Sequence, residues 1–368
     1  MASVVRLLAA GAIALAVQSI CIAAGVAEPL SRPALMSQAA TQAVLTSVIW
    51  AGNRLVAVGE RGIVLLSDDA GLNWRQAKVP VSVTLTAVSF PTEKQGWAVG
   101  HYGVVLHSGD GGETWVRQLD GMAAARLALE AAQARAGQSG SEDPAAQRKL
   151  AEARQLDKDG PDKPFLDLHF ENERSGFVVG AYNLMFRTED GGKTWRYWGE
   201  RLDNPKANHI YAIRAAGNEV FLAGEQGLVL RSADGGRNFS RLETPYKGSY
   251  FTLAVFPSGD VVVAGLRGNA YHSADRGENW KKVDVPAPVS VSTMTMLKDR
   301  TLLLANQAGQ IFLSRDRGQS LNPVQAPPLP PVNAVESLPD GSLLAVGVRG
   351  VMRIPAHPQA AAKDGGKP

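Results

Sequence analysis

Apolar positions in this chain fall in short runs of four to six, separated by glycine-rich or polar punctuation. Between Leu85 and Leu119 the runs are LTAVSF, GWAVG, VVLHS and TWVRQL. Runs of this length bounded by turn residues predict β-strands. Two stretches break the pattern. MAAARLALEAAQARAG (122–137) and PAAQRKLAEARQLDKDG (144–160) are rich in alanine and other strong helix formers. Asp120 and Asp143 stand where N-caps belong, and Pro144 suits a first helical turn. These stretches predict a helical hairpin within 119–163.

The strand pattern repeats. Six segments align on [ST]-x-D-x-G-x-x-[WF]: LSDDAGLNW (66–74), HSGDGGETW (107–115), RTEDGGKTW (187–195), RSADGGRNF (231–239), HSADRGENW (272–280) and LSRDRGQSL (313–321). Their aspartates are Asp69, Asp110, Asp190, Asp234, Asp275 and Asp316, at intervals of 41, 80, 44, 41 and 41 residues. Ten residues before each comes a second motif, G-x-x-G: GERG (59–62), GHYG (100–103), GAYN (180–183), GEQG (224–227), GLRG (265–268) and NQAG (306–309). A seventh copy, GVRG (347–350), has no aspartate segment behind it. Asn183 and Asn306 replace glycine, and asparagine tolerates a left-handed backbone.

Four strands at a period near 41 residues mark the blade of a β-propeller. The expected fold is all-β: a seven-bladed β-propeller of four-stranded blades spanning 28–356, with the α-helical hairpin inserted between blades 2 and 3. The 80-residue interval contains that insertion. The seventh unit ends after its third run, VMRIP (351–355). A fourth strand drawn from Arg32–Gln42 is expected to close the ring, because an open blade leaves a bare edge.

Composition sharpens the class. The N-terminal stretch has one early charge, Arg6, an apolar run from Leu7 to Val17, and small residues before Glu28. It reads as a signal peptide (1–27) cleaved near Ala27, for a periplasmic or secreted protein. The alternative is an uncleaved N-terminal membrane anchor. The single cysteine, Cys21, lies inside this segment. The rest of the chain therefore has no disulfide, no cysteine-based zinc site and no cysteine nucleophile. A formal charge of +3 over 368 residues gives no case for nucleic-acid binding. The tail, 357–368, is expected to be disordered.

Repetition decides how to read the aspartates. A hairpin needs its N–H groups satisfied, and a hydroxyl with a carboxylate does this locally. The aromatic residues Trp74, Trp115, Trp195, Phe239 and Trp280 are expected to pack between blades. The six aspartates are thus structural, no metal or cofactor is implied, and the six histidines show no metal spacing.

These segments are Asp boxes, or bacterial neuraminidase repeats, which recur in sialidases, sortilin-type receptors and the photosystem II assembly and stability factor family. The coupled G-x-x-G and Asp-box pattern over seven units resembles the last of these. The resemblance implies a non-catalytic scaffold or assembly factor with an arginine patch on one face. Related propellers also occur in non-photosynthetic bacteria, in envelope contexts that include export systems. The helical hairpin departs from the compact family pattern and suggests a different partner.

In a propeller the turns between strands two and three share a face with the links between blades, and the Asp boxes lie on the opposite face. The third residues of the G-x-x-G turns are Arg61, Tyr102, Tyr182, Gln226, Arg267, Ala308 and Arg349. All but Ala308 are candidate protein-binding residues, and Arg61 and Arg349 lie on adjacent blades. They suit an acidic segment of a membrane-protein or envelope-complex client. No catalytic residue is assigned. The alternative function is a sialidase-like glycoside hydrolase, with the arginines on a carboxylate; it needs a tyrosine nucleophile activated by a glutamate, and although Glu60 and Glu225 occupy the turns, the sequence pairs neither with Tyr102 or Tyr182. The Arg-Ile-Pro at Arg353–Pro355 follows the last Asp box rather than preceding the first, as it would in a sialidase.

Overall fold

A computed structural model describes residues 28–139 and 143–356. The expectations for the signal segment, residues 1–27, and for the tail, 357–368, lie outside the described residues. The chain forms seven antiparallel sheets in sequence order, each entered by its innermost strand. These inner strands are Leu45–Ala51, Phe165–Phe170, Val332–Ser337 and their counterparts in the other blades. Six sheets have four strands and the seventh has three. The outermost strands are short, only Arg75–Gln76 in blade 1. The expected seven-bladed propeller is therefore present.

The core lies between blades. Second strands such as Gly96–Gly100 and Val261–Gly265 are buried at every position, as strands covered on both faces must be. Trp97 of blade 2 stacks on Phe170 of blade 3 with centroids 3.8 Å apart and planes 9° from parallel. The Asp-box aromatics extend this core. Trp115 packs among Val56 and Leu66 of blade 1, Phe239 among Phe177 and Val179 of blade 3, and Trp280 against blade 4.

The ring closes differently from expectation. No strand from Arg32–Gln42 pairs with blade 7, whose last strand is Gly350–Ile354. The segment crosses the outer edge of blade 1 instead: the Ala34 N–H donates to the Val79 carbonyl at 3.0 Å, and the Ser82 N–H to the Pro29 carbonyl at 2.8 Å. Its end forms a 3-10 turn, Ala40–Gln42, and Ala40 is buried between blades 1 and 7. Side chains make the junction. Trp50 Nε1 donates to the Ser337 carbonyl at 3.0 Å, and Asn333 Nδ2 donates to the Leu45 carbonyl at 2.8 Å.

The hairpin is present as helices α1 (Gly121–Ser139) and α2 (Pro144–Asp159), between blades 2 and 3. Asp120 accepts from the Ala123 N–H at 3.0 Å, and Asp143 caps α2 through Ala145 and Ala146. Alanines Ala132, Ala136, Ala146 and Ala153 let the helices approach closely, with Leu150 between them. Among the described residues no helix is long and apolar enough to cross a membrane.

Candidate functional site

Each Asp box is a compact set of local hydrogen bonds. In the second, Ser108 Oγ donates to Asp110 Oδ1 at 2.8 Å and accepts from the Gly112 N–H at 2.8 Å. The same carboxylate accepts from the Thr114 N–H at 3.0 Å and the Thr114 hydroxyl at 2.6 Å. The other five repeat the pattern at Asp69, Asp190, Asp234, Asp275 and Asp316. Each of the six carboxylates accepts hydrogen bonds from donors of its own loop. The Thr194 hydroxyl and N–H hold the Asp190 carboxyl down at about 2, and Asn279 does the same for Asp275. Among the described residues no group of three or more His, Cys, Asp or Glu could hold a metal.

The opposite face is built on the G-x-x-G turns. In blade 1 the Ile63 N–H donates to the Glu60 carbonyl at 3.0 Å, with Arg61 at φ 53° and Gly62 at φ 77°. Two successive left-handed residues make a type I′ turn, whose twist matches the strands it joins. Gly59 and Gly62 are required for space as well. A Cβ on Gly59 would lie 2.2 Å from the Val44 carbonyl, and one on Gly62 would lie 2.2 Å from that of Val81. Blades 2 to 5 repeat this geometry, with Tyr102 at φ 59°, Tyr182 at 53°, Gln226 at 53° and Arg267 at 56°.

Blades 6 and 7 do not, since Ala308 and Arg349 are absent from the left-handed residues while Gly309 and Gly350 are present. The expectation for Asn306 needs correction. Asn183, at φ 62°, does take the left-handed conformation. Asn306 fills the first motif position, where Gly59 is extended at φ −168°. It holds its turn by side-chain acceptance, from the N–H groups of Ala308 and Gln310, each at 3.0 Å.

All six candidate residues, Arg61, Tyr102, Tyr182, Gln226, Arg267 and Arg349, are exposed. Left-handed arginine, tyrosine or glutamine costs about 1–2 kcal/mol that asparagine or glycine would avoid. Among the described residues none of the three arginines pairs with a carboxylate, whereas Arg54, Arg75, Arg231 and Arg353 on the blade flanks all do. Large apolar side chains are exposed here too: Tyr102, Met122, Tyr182 and Val348. Turn tips and insertion share the face, since a Cβ on Gly103 would meet Gly121 at the start of α1, 2.6 Å away.

The sequence placed the turn-tip arginines and tyrosines around the mouth of the central channel, but not the strand residues that build that mouth. Each inner strand has a β-bulge at its second residue, on the side of the G-x-x-G turns. In four blades this residue is polar and donates to a carbonyl of the next blade. Thr46 reaches Leu85 at 2.7 Å, Thr86 reaches Phe165 at 2.8 Å, Ser292 reaches Val332 at 2.6 Å, and Asn333 reaches Leu45. In blades 3 to 5 it is Leu166, Tyr211 or Phe251, and the bond is missing. Tyr211 and Phe251 make edge contact at 5.3 Å, and His209 links Tyr211 to Tyr182, whose ring lies 4.6 Å from it. The signal was an apolar residue where the other repeats carry Ser, Thr or Asn.

Below the mouth, a channel cavity of about 480 Å³ is lined by all seven inner strands. It holds the Asp167–Arg214 ion pair, His169, Lys298 and Glu336. Asp167 also accepts from the Ile213 N–H at 3.0 Å, which joins blade 3 to blade 4.

The turn glutamates Glu60 and Glu225 hold the backbone where the inner strands begin. Glu60 accepts from the Val44 N–H and Glu225 from the His209 N–H, each at 3.0 Å, anchoring the entry to an inner strand. Glu225 also accepts from the Tyr211 hydroxyl at 3.3 Å. Burial, with Glu225 beside it, pushes the Tyr211 phenol up to about 12. Arg353 of the Arg-Ile-Pro pairs with Asp340.

With the geometry established, comparison with known proteins gives a consistent result. The family model described as "Photosynthesis system II assembly factor YCF48" matches residues 72–134 and 146–361, most of the chain. The photosystem II assembly lipoprotein Ycf48 of Synechococcus sp. (strain CC9902) is 35% identical over 77 residues, which are 21% of this chain. That match spans only 23% of the relative's length. A solved structure described as YCF48 bound to D1 peptide aligns with TM-score 0.60 and 16% identity, covering 88% of this chain and 96% of that one. YCF48 from Cyanidioschyzon merolae aligns with TM-score 0.59 and 16% identity, covering 86% and 96%. At such identity the structural likeness speaks for the fold.

Proposed function

This chain belongs to the photosystem II assembly factor YCF48 family, and from that premise we propose that it is an exported, non-catalytic scaffold. It holds an acidic segment of a membrane-protein or envelope-complex client on the face carrying the G-x-x-G turns. One observation carries the reading. Three unpaired arginines, two tyrosines and a glutamine are displayed on one face, five of the six on left-handed turn tips. Backbone strain retained at exposed positions points to use of the side chain. Guanidinium groups without carboxylate partners are available to carboxylates of another chain.

The relatives support this in kind. One solved family member is described as bound to a D1 peptide, and the Synechococcus relative is described as an assembly lipoprotein. Export of this chain agrees with that description and with its N-terminal sequence. The hairpin, on the same face as the turns, shapes the site for the client.

The test is affinity recovery of membrane and envelope proteins from the native host, with wild-type bait and with Arg61→Asn, Arg267→Asn and Arg349→Gln combined. A client recovered by the wild type and lost with the variant supports the reading. Unchanged recovery overturns it, as does cleavage of sialosides or other glycosides by the purified protein.

A further inference from the structure

We propose that the cleft between the helical hairpin and blade 3 receives an uncharged apolar side chain of the same segment whose carboxylates reach the turn-tip arginines. This rests on the reading above and adds the chemistry that selects the client. The cleft has a volume of about 390 Å³. Its helical wall is Ala128, Ala132, Ala153 and Leu156, and its blade wall is Leu184 and Tyr197. Three alanines make the room, since any larger residue there would fill it.

The rim decides the class of occupant. Its charges are already matched: Lys149 with Glu152 at 2.8 Å, Lys163 with Asp159 at 3.6 Å, and Glu200 with Arg135 at 3.8 Å. Among the described residues no unpaired charge lines the cleft, and its walls are apolar. Tyr197 lines the cleft, and its hydroxyl has no hydrogen-bond partner among the described residues. The unpaired cations lie beyond the cleft, on the turn tips. Charge complementarity therefore places the client's carboxylates on the tips and its uncharged apolar group under the hairpin.

Tyr182 connects the two regions. It lines the cleft and also stands on the blade 3 turn tip with 54% of its surface exposed. Its N–H donates to His209 Nδ1 at 3.2 Å, and Lys163 Nζ lies 5.6 Å from its ring centroid. A segment that leaves the cleft over Tyr182 continues onto the face that carries the turn tips of blades 1, 5 and 7.

The experiment is selection of displayed random peptides with free carboxyl termini on the purified protein. Wild type is expected to enrich peptides that combine acidic residues with Leu, Phe, Met or Trp. Gln155→Trp, which plugs the cleft from its exposed rim, is expected to keep the acidic enrichment and lose the apolar one. A peptide selected on wild type should bind the plugged variant about tenfold more weakly or worse. Ala132→Phe fills the cleft from α1 and should act alike; if its helix signal falls, Gln155→Trp decides. The combined arginine variant should do the reverse, keeping apolar and losing acidic enrichment. Apolar enrichment that is absent in wild type, or unchanged by the plug, overturns the cleft proposal and leaves the arginine face standing. Failure of wild type to select any peptide overturns both.

Discussion

Asn333 donates its side-chain amide to the Leu45 carbonyl at 2.8 Å, joining the last blade to the first across 288 residues. The bond has the same form as Thr86 to Phe165 between blades 2 and 3, at 2.8 Å. The ring is thus closed by the device that also links blades 1 to 2, 2 to 3 and 6 to 7, without an exchanged strand. Loss of one such bond costs about 1 kcal/mol. Asn333→Ala and Thr86→Val are each expected to lower unfolding stability by that amount in urea titration. A much larger loss for Asn333→Ala would mean that closure depends on this bond more than on packing of blade 7 against blade 1.

Arg61→Asn should stabilise the fold. Asparagine takes left-handed angles more readily than arginine, and Arg61 makes no ion pair. The expected gain is up to about 1 kcal/mol, read as a higher unfolding midpoint. A lower midpoint would show that the arginine serves the fold.

Acid should weaken the protein in two stages. Burial, then the Arg214 charge, lowers His169 from near 6.5 to about 4, against an opposing pull from Asp167. Its folded value is depressed, so its contribution is complete above pH 6.5 and is lost as pH falls toward 4. The Asp-box carboxyls, lowered from near 3.8 to about 2 at Asp190 and Asp275, contribute above pH 4 and fail as pH falls toward 2. Urea midpoints against pH should show both stages, and His169→Gln should remove only the first.

Glu336 should give the opposite slope. It keeps contact with the solvent of the channel, yet the inner strands surround its carboxyl, and burial raises it from near 4.5 to about 8, with Lys298 opposing. A raised folded value means that its contribution is complete below pH 4.5 and is lost as pH rises toward 8. Glu336→Gln should flatten that alkaline decline in the same titration.

Fold and site were legible to different degrees, for physical reasons. The period of Asp69, Asp110, Asp234 and Asp275 exposed the blades because each box is a local hydrogen-bonded unit that recurs where a third strand turns back into a fourth. The helical hairpin was legible from alanine content and from the caps at Asp120 and Asp143, which are also local. Ring closure was not, because Asn333 and Leu45 meet only in three dimensions and a lone Asn carries no signal of its target. The turn tips were found by counting, though not their left-handed strain. The aromatic mouth was missed because Tyr211 and Phe251 look like core residues in strands, and only the shared bulge turns them toward the opening.

Photo-crosslinking in the native host tests most directly which face binds the client. A crosslinking residue at Tyr102, on a turn tip, is compared with one at Leu72, exposed in an Asp box on the opposite face. The expected result is a discrete adduct with a membrane or envelope protein from position 102, lost when Arg61, Arg267 and Arg349 are replaced, and none from position 72. An adduct from position 72 alone would place the client on the Asp-box face and contradict the proposal.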